Sequence, residues 1–185
     1  MTARRRPLLP WFVVSGRRRL PLAAVAVVLL ALVWRYFSAP PAPPEVLAEG
    51  LYEVERVVDG DTLLLANRAR VRLIGADTPE TVKPNHAIEP WGPEAAQFTQ
   101  QFVAGGQVRL EFDRERLDKY GRFLAYVWVG DRMLNEELIR AGLARAEPQY
   151  HYSPAMKTRF RRAEADAKSA ERGIWSGRPA AADSL

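Results

Sequence analysis

The 185-residue chain contains no cysteine, which excludes disulfides and thiolate metal sites and fits an exported domain whose roughly 130 residues bury a sufficient core unaided. Histidine is nearly absent as well. His86 and His151 are too few and too far apart to suggest a histidine metal centre, and no serine or cysteine nucleophile is signposted. There is no internal repeat. Chemistry, if the chain has any, falls to carboxylates, arginines and tyrosines. The domain also lacks an excess of positive charge. The net charge is +5, but residues 1–45 hold seven arginines and one acid, leaving twenty basic and twenty-one acidic residues beyond them. The basic balance therefore belongs to the front of the chain and says nothing about nucleic-acid affinity of the rest.

That front carries Arg4-Arg5-Arg6 and Arg17-Arg18-Arg19, then an apolar run over 20–34, then Arg35-Tyr36-Phe37. Six arginines before the run and one after it place the N-terminus in the cytoplasm. Fifteen apolar residues make about 22 Å of helix against a hydrocarbon core of roughly 30 Å. A snorkelling Arg35, with Tyr36 and Phe37 at the interface, extends the segment to 20–37. Cleavage after Ala39 would put Phe37 where a small residue belongs and Pro40 just beyond the cut, so an uncleaved signal anchor is favoured over a secreted product. The expected order is a basic cytoplasmic segment (1–19), a transmembrane helix (20–37), a stiff Pro/Ala-rich linker (38–48), a folded domain (49–176) and a tail (177–185). The domain would then lie outside the cytoplasmic membrane.

Within the domain, residues 107–113 alternate Val108, Leu110 and Phe112 with Arg109, Glu111 and Asp113, and 70–73 alternate in the same way. Runs at 51–58, 62–66 and 123–129 complete five strands, with Asp59-Gly60 and Gly130-Asp131 as turn signals. Helices are expected at 93–103, at 135–141 with Asn135 as cap, and from Ser153-Pro154 to near Gly173. Five short strands with interposed helices suit a small α+β barrel. On the last helix, Met156, Phe160, Ala163 and Ala167 form the apolar stripe. Lys157, Arg159, Arg161 and Arg162 read more simply as a solvated face than as a nucleic-acid patch, and Glu164 and Lys168 as an ordinary surface pair.

Three segments carry the chemistry: Val58-Asp59-Gly60-Asp61-Thr62; residues 72–80, Arg-Leu-Ile-Gly-Ala-Asp-Thr-Pro-Glu; and Asp118-Lys119-Tyr120-Gly121-Arg122. Asp59-Gly60 alone is a hairpin signal, yet such a turn can present Asp61 at the start of a strand. Pro79 pulls Thr78 out of helical geometry, so the chain leaves its strand at Asp77. Asp61 and Asp77 supply hard oxygen ligands, Glu80 can handle a water, and Arg72 and Arg122 have the fork geometry that grips phosphate. Each has a plain structural alternative: a capping aspartate, a solubilising strand arginine, an arginine beside a glycine turn.

Together these segments resemble the staphylococcal nuclease (thermonuclease) family, over residues 51–175. The resemblance implies a five-stranded OB-type barrel with three helices and a calcium-dependent nuclease that cuts DNA and RNA with little sequence preference, leaving 3′ phosphates. It makes Asp61, Asp77 and the Thr78 carbonyl the Ca2+ ligands, assigns water to Glu80, and clamps the scissile phosphate between Arg72 and Arg122. Lys119, Tyr120, Tyr150 and Tyr152 would line the substrate groove. The chain departs from the family pattern in two places: 144–150 is longer and 114–117 shorter.

The alternative class is a non-catalytic OB-type module holding nucleic acid at the membrane, since such barrels commonly bind single strands without cutting them. A tethered partner-binding domain is a third. Retention of all five charged site residues favours the enzyme. Metal-dependent hydrolysis separates it from both.

Overall fold

Apolar side chains give the longer strands a buried face, and the sheet they form has to curl to enclose it. The strands are β1 (Gly50–Asp59), β2 (Thr62–Leu65), β3 (Arg70–Leu73), β4 (Ala76–Asp77), β5 (Gln107–Leu117), β6 (Phe123–Val129), β7 (Arg132–Met133) and β8 (Arg145–Ala146). In this computed structural model, which describes residues 22–38, 42–81 and 89–177, the main sheet runs β3-β2-β1-β5-β6-β7. β3 also pairs in parallel with β6, Val71 opposite Phe123 and Leu73 opposite Ala125, which closes β1, β2, β3, β5 and β6 into a barrel. The expected α+β architecture with a five-stranded barrel is therefore present. β4 and β8 form a separate two-stranded ladder, Ala76 opposite Ala146 and Asp77 opposite Arg145.

Leu63, Leu65, Val71, Leu73, Val108, Leu110 and Val127 fill the barrel, and all are fully buried. Helices α2 (Gly92–Phe102), α3 (Leu134–Arg140) and α4 (Pro154–Ser169) cover it. α3 contributes Leu134, Leu138 and Ile139 to the same core, and α4 contributes Phe160 and Ala163 and also buries Ala167. The stripe expected on α4 is the face that packs. A short 3-10 turn, Gly173–Trp175, brings the Ile174 amide onto the Gly142 carbonyl at 2.9 Å, just beyond the end of α3.

Three local expectations are corrected. Asn135 does not cap α3; that position is Met133, in extended geometry. Asn135 is instead fully buried, its Oδ1 accepting the Val127 amide at 2.9 Å and its Nδ2 donating to the carbonyls of Ile74 and Ala125 at 3.0 and 3.2 Å. A buried amide must find partners, and here it joins three chain segments. Ser153 does cap α4, with Pro154 first in the helix, but no side-chain cap bond forms. Glu164 is not only the surface partner of Lys168 at 2.7 Å; its Oε1 also accepts the Ala146 amide at 3.0 Å. Arg159 pairs with Glu136 on α3.

The chain divides into two units, Met1–Pro40 and Pro41–Leu185. In the first, α1 (Leu22–Phe37) has sixteen residues, two fewer than expected, or about 24 Å. No described helix is long and apolar enough to cross a membrane. The described helix falls short of a roughly 30 Å core, so it does not by itself supply the span expected over 20–37. Residues 1–21, the linker residues 39–41, His86 within 82–88, and 178–185 lie outside the described residues.

A candidate metal and phosphate site at the barrel edge

Asp59 ends β1 and Asp61 stands just before β2. Asp59 is buried and structural: its Oδ1 accepts the Gly60 amide at 2.8 Å and the Thr81 hydroxyl at 2.7 Å, tying the hairpin to the loop after β4. The next acid is placed by the same turn. Asp61 is only 2% exposed, with Oδ1 accepting the Thr62 hydroxyl and Oδ2 accepting both the amide and hydroxyl of Thr78 at 3.1 Å. The Leu73 amide donates to the Asp61 carbonyl at 2.9 Å, holding β3 alongside.

Arg72 lies on the β3 face opposite Val71 and Leu73, as the alternation predicts, and reaches both acids. Nη1 meets Asp61 Oδ2 at 2.6 Å and Nη2 meets Asp77 Oδ1 at 2.6 Å. A third carboxylate, Glu147, stands 3.8 Å from Nη2. Burial opposes the Arg72 charge, yet Asp61, Asp77 and Glu147 hold it firmly cationic. Asp61 goes the other way. Burial pushes its carboxyl above the ordinary range in spite of Arg72, the Thr78 amide and the Thr62 hydroxyl, and Asp77 adds to the rise.

The turn from β5 to β6 supplies the second arginine. Gly121, at φ +73°, adopts a left-handed conformation that side chains rarely tolerate and returns the chain sharply to Arg122. Asp118 organises this turn: Oδ1 accepts the amides of Tyr120 and Arg122, and Oδ2 takes Arg122 Nε at 2.6 Å. Burial would raise the Asp118 carboxyl, but the Arg122 amide and guanidinium and the Tyr120 amide bring it below the usual range.

Arg72, Asp77, Lys119, Tyr120, Arg122 and Tyr150 border one open cavity of about 670 Å³. Six of the ten residues singled out in the sequence thus converge on one place. Asp61 and Thr78 sit behind Arg72 and Asp77 through the bonds above. Glu80 does not line this cavity; its amide donates to Glu89 Oε2 at 3.2 Å and its carbonyl accepts the Glu89 amide at 3.0 Å. Tyr152 does not line it either. Its ring is 5% exposed and lies 5.9 Å from that of Phe160, centroid to centroid, so it belongs to the core. A Cβ on Gly75 would come within 2.7 Å of that ring, which accounts for a glycine there. Burial and the Glu147 charge push the Tyr152 hydroxyl up to about 12, against Arg161.

The cavity also takes in Glu115, Asp118, Glu147 and His151, none of which the sequence pointed to in a functional role. Asp118 carried the one usable signal, four residues before Arg122 in a glycine-containing turn. Glu147 is in the segment that departs in length from the family pattern.

Among the described residues no group of three or more His, Cys, Asp and Glu side chains gathers as a metal cluster. The chemistry expected here needs only two carboxylates and a carbonyl. The donors fit a hard cation: Asp61 and Asp77 offer oxygen alone, and Asp61 is an acid whose charge burial leaves undercompensated.

The barrel edge brings Arg72, Asp77 and Arg122 to one cavity, with Asp61 buried behind Arg72, an arrangement that can receive an anion between two guanidiniums. Comparison with known proteins narrows it. Residues 70–177 match the family described as "Staphylococcal nuclease homologue". The chain is 45% identical over 134 residues to the thermonuclease of Staphylococcus hyicus, covering 69% of this chain and 77% of that one. It is 42% identical over 160 residues to the thermonuclease of Staphylococcus intermedius, covering 82% and 93% respectively. It is also 42% identical over 129 residues to the endonuclease YncB of Bacillus subtilis, covering 66% and 60%. The chain belongs to the staphylococcal nuclease homologue family. Asp61 lies ahead of the segment matched to the family, but the residues it holds, Arg72 and Thr78, lie within it.

Proposed function

We infer that this chain is a hydrolytic nuclease, a phosphodiesterase that hydrolyses DNA, RNA or both with calcium as cofactor and little sequence preference. The observation that carries the reading is the convergence of Arg72, Asp77 and Arg122 on one cavity, two guanidiniums facing a space that also holds an aspartate. The names of the similar thermonucleases and endonuclease support hydrolysis of nucleic acid.

Asp61, Asp77 and the Thr78 carbonyl would hold the Ca2+, which when bound would supply Lewis-acid polarisation of the phosphate. Arg72 and Arg122 each donate to the phosphate and offset the negative charge that builds as the phosphorus becomes five-coordinate. Glu80 orients the attacking water and removes its proton. The bond to the 5′ oxygen breaks, that oxygen takes up a proton from solvent, and a 3′ phosphate is left. Lys119 attracts the backbone, and the exposed rings of Tyr120 and Tyr150 offer faces for bases. Tyr152 acts only by supporting Gly75 and Phe160.

Six arginines before the apolar segment and one after it support export of the domain beyond the cytoplasmic membrane, either tethered through 20–37 and the 38–48 linker or released by cleavage. A reporter fused after Leu185 checks this: export-dependent activity is expected, and activity of a cytoplasm-only reporter contradicts it.

The decisive assay incubates the full chain with single- and double-stranded DNA and RNA, in calcium or in chelator. Hydrolysis confined to calcium is expected. Binding without hydrolysis in calcium would leave a nucleic-acid-binding module.

A further inference from the structure

Arg72 is shared among more acids than two aspartates. Nη1 is taken by Asp61 and Nη2 by Asp77, each at 2.6 Å, while Glu147 Oε2 stands 3.8 Å from Nη2. The contact with Asp77 is a short charge-assisted hydrogen bond, and the contact with Asp61 is a close ion pair. The third lies beyond hydrogen-bond distance, so it attracts Arg72 without a directional bond to lose.

The backbone fixes where this acid stands. β8 pairs with β4, Asp77 opposite Arg145, so Glu147 is the first residue beyond a strand laid against a candidate cation ligand. Its amide donates to the Gly75 carbonyl at 3.0 Å, and the preceding amide donates to Glu164. Its side chain is about four-fifths buried, with Oε1 accepting Gln149 Nε2 at 3.3 Å and Oε2 facing Arg72.

Arg122 has a carboxylate partner too, but of a different kind. Asp118 accepts two amides and Nε and keeps the turn in shape, so it stays when a ligand arrives. Glu147 shapes no such turn through its carboxylate. A phosphate approaching Nη2 meets a carboxyl that burial and Asp77 push toward its neutral form and Arg72 draws back toward the charged one, and that gives Arg72 no hydrogen bond in return.

We propose that Glu147 is a positioning residue that occupies the cavity side of Arg72 as an electrostatic placeholder, so that a substrate phosphate must take its place. The inference rests on the reading of this cavity as a phosphate site. One carboxylate at this range, partly screened by solvent, sets affinity by roughly three- to tenfold.

The test uses the full chain with E147Q, which keeps the shape and removes the charge, and with E147A. A fluorescein-labelled single-stranded deoxyoligonucleotide is titrated in chelator by anisotropy, KM and kcat are measured in calcium, and melting curves are recorded. Both variants should bind the oligonucleotide three- to tenfold more tightly, with KM falling in step and kcat moving less than KM. A merely structural glutamate would move the melting temperature without that split. Unchanged or weaker oligonucleotide binding by a natively melting E147Q overturns the placeholder, and the nuclease reading survives if the parent chain still hydrolyses in calcium. A parent chain that neither binds the oligonucleotide nor hydrolyses it overturns both. Should E147A melt early, E147Q alone decides.

Discussion

Asp61 and Arg72 meet at 2.6 Å, an aspartate 2% exposed against a guanidinium that also serves Asp77. The pair is unequal. Arg72 keeps its charge through three acids, whereas Asp61 is pushed toward its neutral form by burial. An anion kept at that disadvantage is a candidate for compensation by a cation.

Asp61→Asn should therefore cost little stability in chelator, since Arg72 retains Asp77. Calcium at a hundred times its Kd should stabilise the parent chain by about 2.7 kcal/mol, on the order of 5 to 10 °C in Tm, and should not stabilise the variant. Equal calcium shifts in the two melting curves would remove Asp61 from the ligand set.

Glu80→Gln should behave differently, because its proposed contact is with water. Turnover should fall by roughly two powers of ten or more while calcium affinity, read by calorimetry, stays within about threefold. A parallel loss of both would make Glu80 a ligand or a structural partner of Glu89.

The sequence exposed the barrel well because it is written in alternation: Val108, Leu110 and Phe112 against Arg109, Glu111 and Asp113 need no tertiary knowledge to be read as a strand. Asp61, Arg72, Asp77 and Arg122 were legible for a related reason, standing at strand starts, strand faces and turns with strong local signals. Glu147 and Tyr152 were not. Glu147 reaches Arg72 through the β4–β8 ladder, two residues on each side, too short to show a period. Tyr152 is one residue from a helix cap, and only the position of Phe160 decides that its ring turns inward. Asn135 misled because a polar residue before a helix reads as a cap, whereas here the barrel needed its amide.

Asp113 provides a pH test away from the site. Its carboxylate accepts the Tyr126 hydroxyl and the Ser153 amide, each at 2.7 Å. Burial alone would raise it, but these bonds and the Arg114 amide hold it below the usual range. A lowered folded pKa means the charged form stabilises the fold above the unfolded value near 3.9, and that this stability disappears as pH falls through the folded value. Asp113→Asn should cost about 1 to 2 kcal/mol at pH 7, and the gap in Tm should close below about pH 4. A gap independent of pH would show that shape, not charge, holds Ser153 at the start of α4.

The central claim is that the two arginines of this cavity act on a phosphate in its transition state, and Arg122→Lys tests it most directly. Lysine keeps the charge but not the planar fork, and with it the Nε bond to Asp118 is lost. Single-turnover hydrolysis of a saturating oligonucleotide in calcium, on protein shown to be folded by its melting curve, should be slower by roughly two to three powers of ten, about 3 to 4 kcal/mol, with substrate affinity changing less. Near-parental turnover in the folded variant would contradict the account and leave Arg122 as an arginine that merely shapes a turn.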